Sequence, residues 1–174
     1  MVKKPAIFFD RDGTLIKTIV RNNKPFAINN KNKLHIFKNS YVVCNLLKKK
    51  YKIFIVTNQP DVEKKKVKKK DVIFINNKIK KKLDIVKVYN CYCSSDSCKF
   101  RKPNSGMITK AAKEFNIDLK KSYMIGDRWK DISSGNNARC KTILIKRKYS
   151  EVAKCNPNYI ISNLGEILNI IKLW

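Results

Sequence analysis

The chain has 174 residues, 43% of them hydrophobic, and carries 40 Lys+Arg against 13 Asp+Glu, a formal charge of +27. That length and apolar content fit one folded domain with a real core and do not indicate disorder, and no apolar run approaches the roughly 20 residues that span a bilayer. The charge favours phosphorylated over neutral ligands, but its lysines are dispersed and accompanied by much Asn and Ile, the mark of A/T-rich codon bias rather than of a groove for nucleic acid.

In chain order, Met-Val-Lys-Lys-Pro leads into an apolar run with no signal region before it, which implies a cytoplasmic protein. Ala6 to Phe9 reads as a buried strand. The polar stretch from Lys17 to Lys33, with Asn clusters and Pro25, reads as a loop, a short flap around 15–33. Tyr41 to Lys49 has helical periodicity, Ile53 to Val56 is a buried strand, and Glu63 to Leu83 reads as one long helix whose run from Lys64 to Lys70 forms a solvated face. Ile85 to Tyr89 is a third strand, Ser105 to Phe115 a helix, Tyr123 to Ile125 a strand, Ile132 to Ala138 a helix and Thr142 to Ile145 a strand. Tyr159 to Ile161 and a closing helix from Leu164 to Ile171 complete the series. Alternating strands and helices predict an α/β fold, a doubly wound, mostly parallel sheet with helices on both faces, as a single domain over 1–174.

In such a sheet, ligands bind at the carboxyl ends of the strands. The first strand delivers Asp10 and Asp12 there, one residue apart and on the same side. Crowded carboxylates need a cation or a shared proton between them, which suits a nucleophile beside a proton donor near a divalent metal. Gly13 allows a sharp exit, and Thr14 offers a hydroxyl to a substrate. The second strand ends in Thr57, Asn58 and Gln59, whose polar groups suit phosphate oxygens. Lys102 supplies positive charge for a phosphoryl group in transfer. Asp127, after the fourth strand, can join Asp10 and the Asp12 carbonyl around Mg²⁺, a cation of oxygen ligands, with Asp131 in a supporting role. His35, the single histidine, reads as a surface or flap residue, Trp129 as a ring stacked on a helix, and Trp174 carries no signal. Of the six cysteines, Cys44 reads as a core thiol; Cys140 and Cys155 stand alone, and Cys91, Cys93 and Cys98 form a close trio in a loop at 91–100.

The run Phe-Phe-Asp-Arg-Asp-Gly-Thr-Leu, with Thr-Asn-Gln, Arg-Lys-Pro-x-x-Gly-Met and Gly-Asp-Arg-Trp-x-Asp-Ile, resembles the four motifs of the haloacid dehalogenase-like phosphatases in order and strand position, over roughly residues 5 to 149. The resemblance implies that Asp10 attacks phosphorus to form an aspartyl-phosphate, that Asp12 is the general acid and base, and that Thr57 and Lys102 hold the phosphate. The spelling is most similar to the compact branch without a large cap domain, which contains the heptose bisphosphate and histidinol-phosphate phosphatases. That branch implies substrate contacts for Asn58, Gln59, Arg101 and Arg128. The expected activity is Mg²⁺-dependent hydrolysis of a small sugar phosphate such as D-glycero-D-manno-heptose 1,7-bisphosphate, by a monomer with no specific nucleic-acid or membrane partner. Histidinol phosphate, a polynucleotide 3′-phosphate and a non-catalytic phosphate-binding role are the alternatives. Relatives in this branch carry a zinc loop, Cys-x-His followed by Cys-x-Cys. Here Cys93 stands at the His position and Phe100 at the last Cys, so the loop either holds a structural Zn²⁺ through three thiolates plus water, Asp96 or a distant Cys, or is held by packing of Phe100 and Tyr92.

Overall fold

The computed structural model describes residues 2–28, 30–149 and 156–171; Asn29 in the flap, Cys155 and Trp174 lie outside the described residues. The elements are β1 (Ala6–Phe9), β2 (Ile19–Arg21), β3 (Lys24–Phe26), α1 (Lys38–Leu47), β4 (Lys52–Asn58), α2 (Lys69–Leu83), β5 (Lys87–Cys91), α3 (Gly106–Phe115), β6 (Tyr123–Gly126), α4 (Trp129–Asn137), β7 (Lys141–Ile145), β8 (Tyr159–Ile161) and α5 (Ile167–Ile170). Six strands form one parallel sheet in the order β5-β4-β1-β6-β7-β8.

β1 is central, and all four of its side chains are buried. Ile7 and Phe9 pack with Val43, Leu47, Ile75, Ile79 and Ile167, from α1, α2 and α5. Ala6 and Phe8 pack on the opposite face with Phe54, Met107, Ile108, Ala111 and Met124. A strand covered on both faces needs apolar residues at every position, which is why β1 reads as a continuous apolar run rather than an alternating one. The helices that cover it stop where the chain turns left-handed, at Asp84 (φ 53°) after α2 and at Asn116 (φ 51°) after α3, short polar residues that tolerate this conformation. Cys44 is a buried core thiol, pushed up to about 12 by burial.

Two segments differ from the sequence reading. The flap is a hairpin: β2 and β3 pair antiparallel, and Asn22 and Asn23 at its tip both have positive φ, 48° and 56°, the requirement of a tight two-residue turn. The helix expected from Glu63 begins only at Lys69. Residues 61–67 close instead on the Asp61 carbonyl, which accepts the N–H groups of Lys66 and Val67, and Lys65 sits at φ 55°. Six lysines between 64 and 70 would repel one another at helical spacing, with no acid among them. The lysine run is therefore divided between a turn and the start of α2. His35 is exposed, edge-on to Phe37, and Trp129 lies under the Lys130 ammonium at 5.4 Å.

Candidate active site

The strand order reverses around β1, and the carboxyl ends of β1, β4 and β6 open a crevice there, the place where sheets of this topology bind ligands. Asp10 follows β1 directly, held by its N–H on the Ile125 carbonyl at 2.8 Å. Thr57 and Asn58 end β4, Asp127 follows β6, and Asp131 lies in the first turn of α4, where it accepts the Arg128 N–H at 3.0 Å. Lys102 comes from the loop between β5 and α3. Asn58 fixes that loop by a two-way clasp, donating to the Lys102 carbonyl and accepting from its N–H, both at 3.0 Å. The Lys102 ammonium, 2% exposed, reaches Asp10 Oδ1 and Asp131 Oδ1 at 2.6 Å and the Val56 carbonyl at 2.8 Å. Its three protons thus meet three acceptors.

Carboxylate oxygens of Asp10, Asp127 and Asp131 lie within 4.8 Å of one another. Burial pushes Asp10 up to about 7; Lys102 opposes the shift, and Asp131 and Asp12 add to it. Asp127 is also pushed well up, by burial and then by Asp10 and Asp131. Burial alone would lower Lys102, but Asp10 and Asp131 outweigh it and keep the ammonium charged. The cluster is therefore short of positive charge, and its hard oxygen donors fit a divalent cation such as Mg²⁺. A consequence can be measured. Carboxyls raised in the folded state stabilise the fold below their unfolded value, near 4, and that stability is lost as pH rises through about 7. Lys102, shifted upward from an already alkaline value, adds no slope in this window. The melting temperature of chelator-treated protein should fall between pH 5 and pH 8, by about 2–4 °C per kcal/mol lost, and millimolar Mg²⁺ should restore it at pH 8 but add little at pH 5. A flat or rising profile would contradict the charge balance described.

Asp12 is gripped from three sides. Arg11 Nε at 2.8 Å and Gln59 Nε2 at 3.0 Å donate to its Oδ2, and the Ile28 N–H, at the foot of the hairpin, donates to Oδ1 at 3.1 Å. Gln59 also donates to the Thr57 hydroxyl at 2.9 Å, which leaves the Thr57 proton for another acceptor. Thr14, expected at a substrate, is fully buried and donates to Asp127 Oδ1 at 3.2 Å. Gln59 is likewise buried, turned toward Asp12 and Thr57. The Arg101 guanidinium is occupied by Asp96 and the Cys93 carbonyl, both at 2.9 Å. Asn58 and Arg128 do border the crevice, whose volume is about 80 Å³ between Asp10, Asp12, Thr57, Lys102 and Asp131 on the sheet side and Thr18, Pro25, Phe26 and Ala27 of the hairpin. Lys130 completes its rim beside Arg128.

The structure adds Arg11, the hairpin wall and two residues after β7 to the site. Tyr149 donates to Asp127 Oδ2 at 2.7 Å, and Arg147 Nε donates to the Gly13 carbonyl at 2.8 Å. Gly13 has φ 89°, and a Cβ there would collide with the Asp127 carboxylate and the Tyr149 hydroxyl; only glycine lets these groups approach.

Beside the crevice, the thiols of Cys91, Cys93 and Cys98 lie within 4.8 Å of one another, with 3.8 Å between Cys91 and Cys98. Phe100 packs against the core, and Asp96 is tied to Arg101 and Lys130. Among the described residues no fourth side-chain ligand joins the three thiols.

The family described as polynucleotide kinase 3 phosphatase matches residues 5–154. D-glycero-alpha-D-manno-heptose-1,7-bisphosphate 7-phosphatase of Campylobacter jejuni is 29% identical over 98% of both chains. The histidine biosynthesis bifunctional protein HisB of Buchnera aphidicola is 34% identical over 99% of this chain, but over only 52% of its own length. Among solved structures, the D,D-heptose 1,7-bisphosphate phosphatase of B. bronchiseptica, complexed with magnesium and phosphate, superimposes with a TM-score of 0.76 at 19% identity, covering 94% of this chain and 95% of that one. The chain belongs to the polynucleotide kinase 3 phosphatase family, within the compact branch of the haloacid dehalogenase-like phosphatases, and is a phosphoric monoester hydrolase.

Proposed function

We propose that the chain hydrolyses a small sugar phosphate, of the kind of D-glycero-D-manno-heptose 1,7-bisphosphate, with Mg²⁺ and through an aspartyl-phosphate. The observation that carries this reading is the convergence of Asp10, Asp12, Thr57, Lys102 and Asp131 on one crevice, with Asp127 beside Asp10. An Asp10 oxygen attacks phosphorus as the bond to the leaving alcohol breaks, and Asp12 gives its proton to that alcohol oxygen. Water then attacks the aspartyl-phosphate, Asp12 takes the water's proton, and inorganic phosphate leaves with the Asp10 carboxylate restored. Thr57 and Lys102 hold the phosphoryl oxygens. Asp10, Asp127 and the Asp12 carbonyl would hold Mg²⁺, with Asp131 behind them; bound there, it would neutralise phosphate charge against the anionic nucleophile.

The substrate reading has two supports. The crevice, at about 80 Å³, is well below the roughly 300 Å³ at which pockets for whole small molecules begin. It therefore encloses the phosphoryl group and leaves the sugar at the rim, between Phe26 and the basic pair Arg128 and Lys130. The end-to-end match to a heptose bisphosphate phosphatase, against half the length of the histidine protein, favours the sugar over histidinol phosphate. The test is phosphate release with Mg²⁺ from heptose 1,7-bisphosphate anomers, other sugar phosphates, histidinol phosphate and a 3′-phosphorylated oligonucleotide. Fastest release from a heptose bisphosphate is expected. Preference for histidinol phosphate or the oligonucleotide would overturn the substrate while leaving the chemistry, and no release from any would overturn both.

The cysteine loop carries a structural Zn²⁺ in this reading, held by Cys91, Cys93, Cys98 and a water. Tetrahedral Zn–S bonds of about 2.3 Å require thiolates about 3.8 Å apart, the separation of Cys91 and Cys98. The ion's task would be to stiffen the loop that delivers Lys102. Protein purified without chelator should contain about one zinc per chain, and Cys98→Ser should lose it; metal-free protein with three freely titrating thiols in the loop would exclude the ion.

A further inference from the structure

Arg11 is the bulkiest fully buried side chain among the described residues. A guanidinium is costly to bury, and an apolar side chain of similar size would fill the space without that cost. What it touches is therefore informative. Nε donates to Asp12 Oδ2 at 2.8 Å, and Nη2 lies 2.8 Å from the same oxygen, with no aligned hydrogen bond of its own among the described residues. Nη1 donates to Asn76 Oδ1 on α2 at 2.8 Å, and the Asn76 amide donates in turn to Asn90 Oδ1 on β5 at 2.7 Å. Arginine can only donate, so Asn76 must present its oxygen to Arg11 and its NH₂ to Asn90. The network runs outward from Arg11, to Asp12 on one side and through Asn76 to Asn90 on the other, and it anchors the Asp12 carboxyl to a helix and a strand rather than to a loop.

The result is an asymmetric carboxyl. Oδ2 faces three donor nitrogens, from Arg11 twice and Gln59 once, within 3.0 Å. Oδ1 meets one, the Ile28 N–H, and so retains lone-pair capacity for a proton in transit. We infer that Arg11 is a positioning residue for proton transfer: through Asp12 Oδ2 and Asn76 it aims Asp12 Oδ1 at the oxygen of the departing alcohol. The inference rests on Asp12 being the proton shuttle of the proposed function.

Leaving-group dependence separates aiming from packing. An alkyl oxygen must be protonated as it leaves, whereas 2,4-dinitrophenolate departs without a proton. The quantity to compare is kcat/KM with Mg²⁺, which ends at phosphoryl transfer to Asp10 and so excludes the later attack of water. For Arg11→Met, kcat/KM should fall about 10–100-fold on the sugar phosphate that the wild type cleaves fastest, yet stay within about 3-fold on 2,4-dinitrophenyl phosphate. Asp12→Asn should show the same selectivity, enlarged. If Asp12→Asn is selective and Arg11→Met loses both substrates equally, Arg11 only packs and the inference fails while the shuttle stands. If Asp12→Asn itself loses both equally, the shuttle fails and this inference with it. Should Arg11→Met not fold, Asn76→Ala, which cuts the far anchor, should give the same selectivity at about 3–10-fold on the sugar phosphate, and an equal loss on both substrates would overturn the inference.

Discussion

Asp10→Asn should lower phosphate release by about 10³-fold or more, because an amide oxygen neither attacks phosphorus competently nor forms the covalent intermediate. The same substitution should not cost stability. Asp10 is pushed up to about 7 because its charge is unwelcome among buried neighbouring acids, and a neutral amide of equal size removes that charge. Lys102 keeps Asp131 and the Val56 carbonyl as acceptors. At pH 8 without metal, the melting temperature of Asp10→Asn should equal or exceed that of the wild type, as expected where activity requires a destabilised site. Phosphate release within ten-fold of the wild type would sink the covalent mechanism.

Lys102→Met should fail on both counts. It leaves Asp10 and Asp131 buried without their shared cation, and breaking a buried ion pair from one side costs roughly 3–5 kcal/mol. For a chain of this size that is a melting point lower by roughly 10 °C or more. Release of phosphate should be lost as well, since Lys102 is the ammonium that contacts Asp10 in the crevice. A double variant, Asp10→Asn with Lys102→Met, should recover part of the lost stability, because the two groups are in contact and their effects do not add. Equal additivity in the cycle would mean that the pair, 2.6 Å apart, is not coupled.

The fold was legible where one signal dominated. β1 announces itself because burial on both faces demands four consecutive apolar residues, and Asp10 and Asp12 follow at once. Thr57 and Asp127 were legible as polar residues at strand ends, Lys102 and Asp131 as charged residues in the segments between strands, and the structure brings them around Asp10. The start of α2 was obscured because Glu63 and the lysines that follow it are ordinary helix formers, whereas lysine repulsion and the Asp61 carbonyl decide the backbone there. The hairpin was obscured because its strands are three residues long and hold Lys and Pro; the Asn22-Asn23 pair was the available clue. The far anchor of Arg11 and the hydroxyl partner of Asp127 had no local signal at all. Arg11 meets Asn76 across 65 positions, and Tyr149 meets Asp127 across 22, and only the folded chain makes such pairs neighbours.

The central place of β1 has a consequence for biosynthesis. Its first residue is Ala6, and the second of the two strands that flank it, β6, starts at Tyr123. At ribosomal speeds of about 5–20 residues per second, the wait between them is on the order of 10 s. For that time Ile7, Phe8 and Phe9 emerge with one sheet edge unpaired, a segment open to misassociation with other chains. Asp10, next after β1, is thus made well before the strand that completes its enclosure, and early capture of this segment by β4 or by a chaperone would shield it.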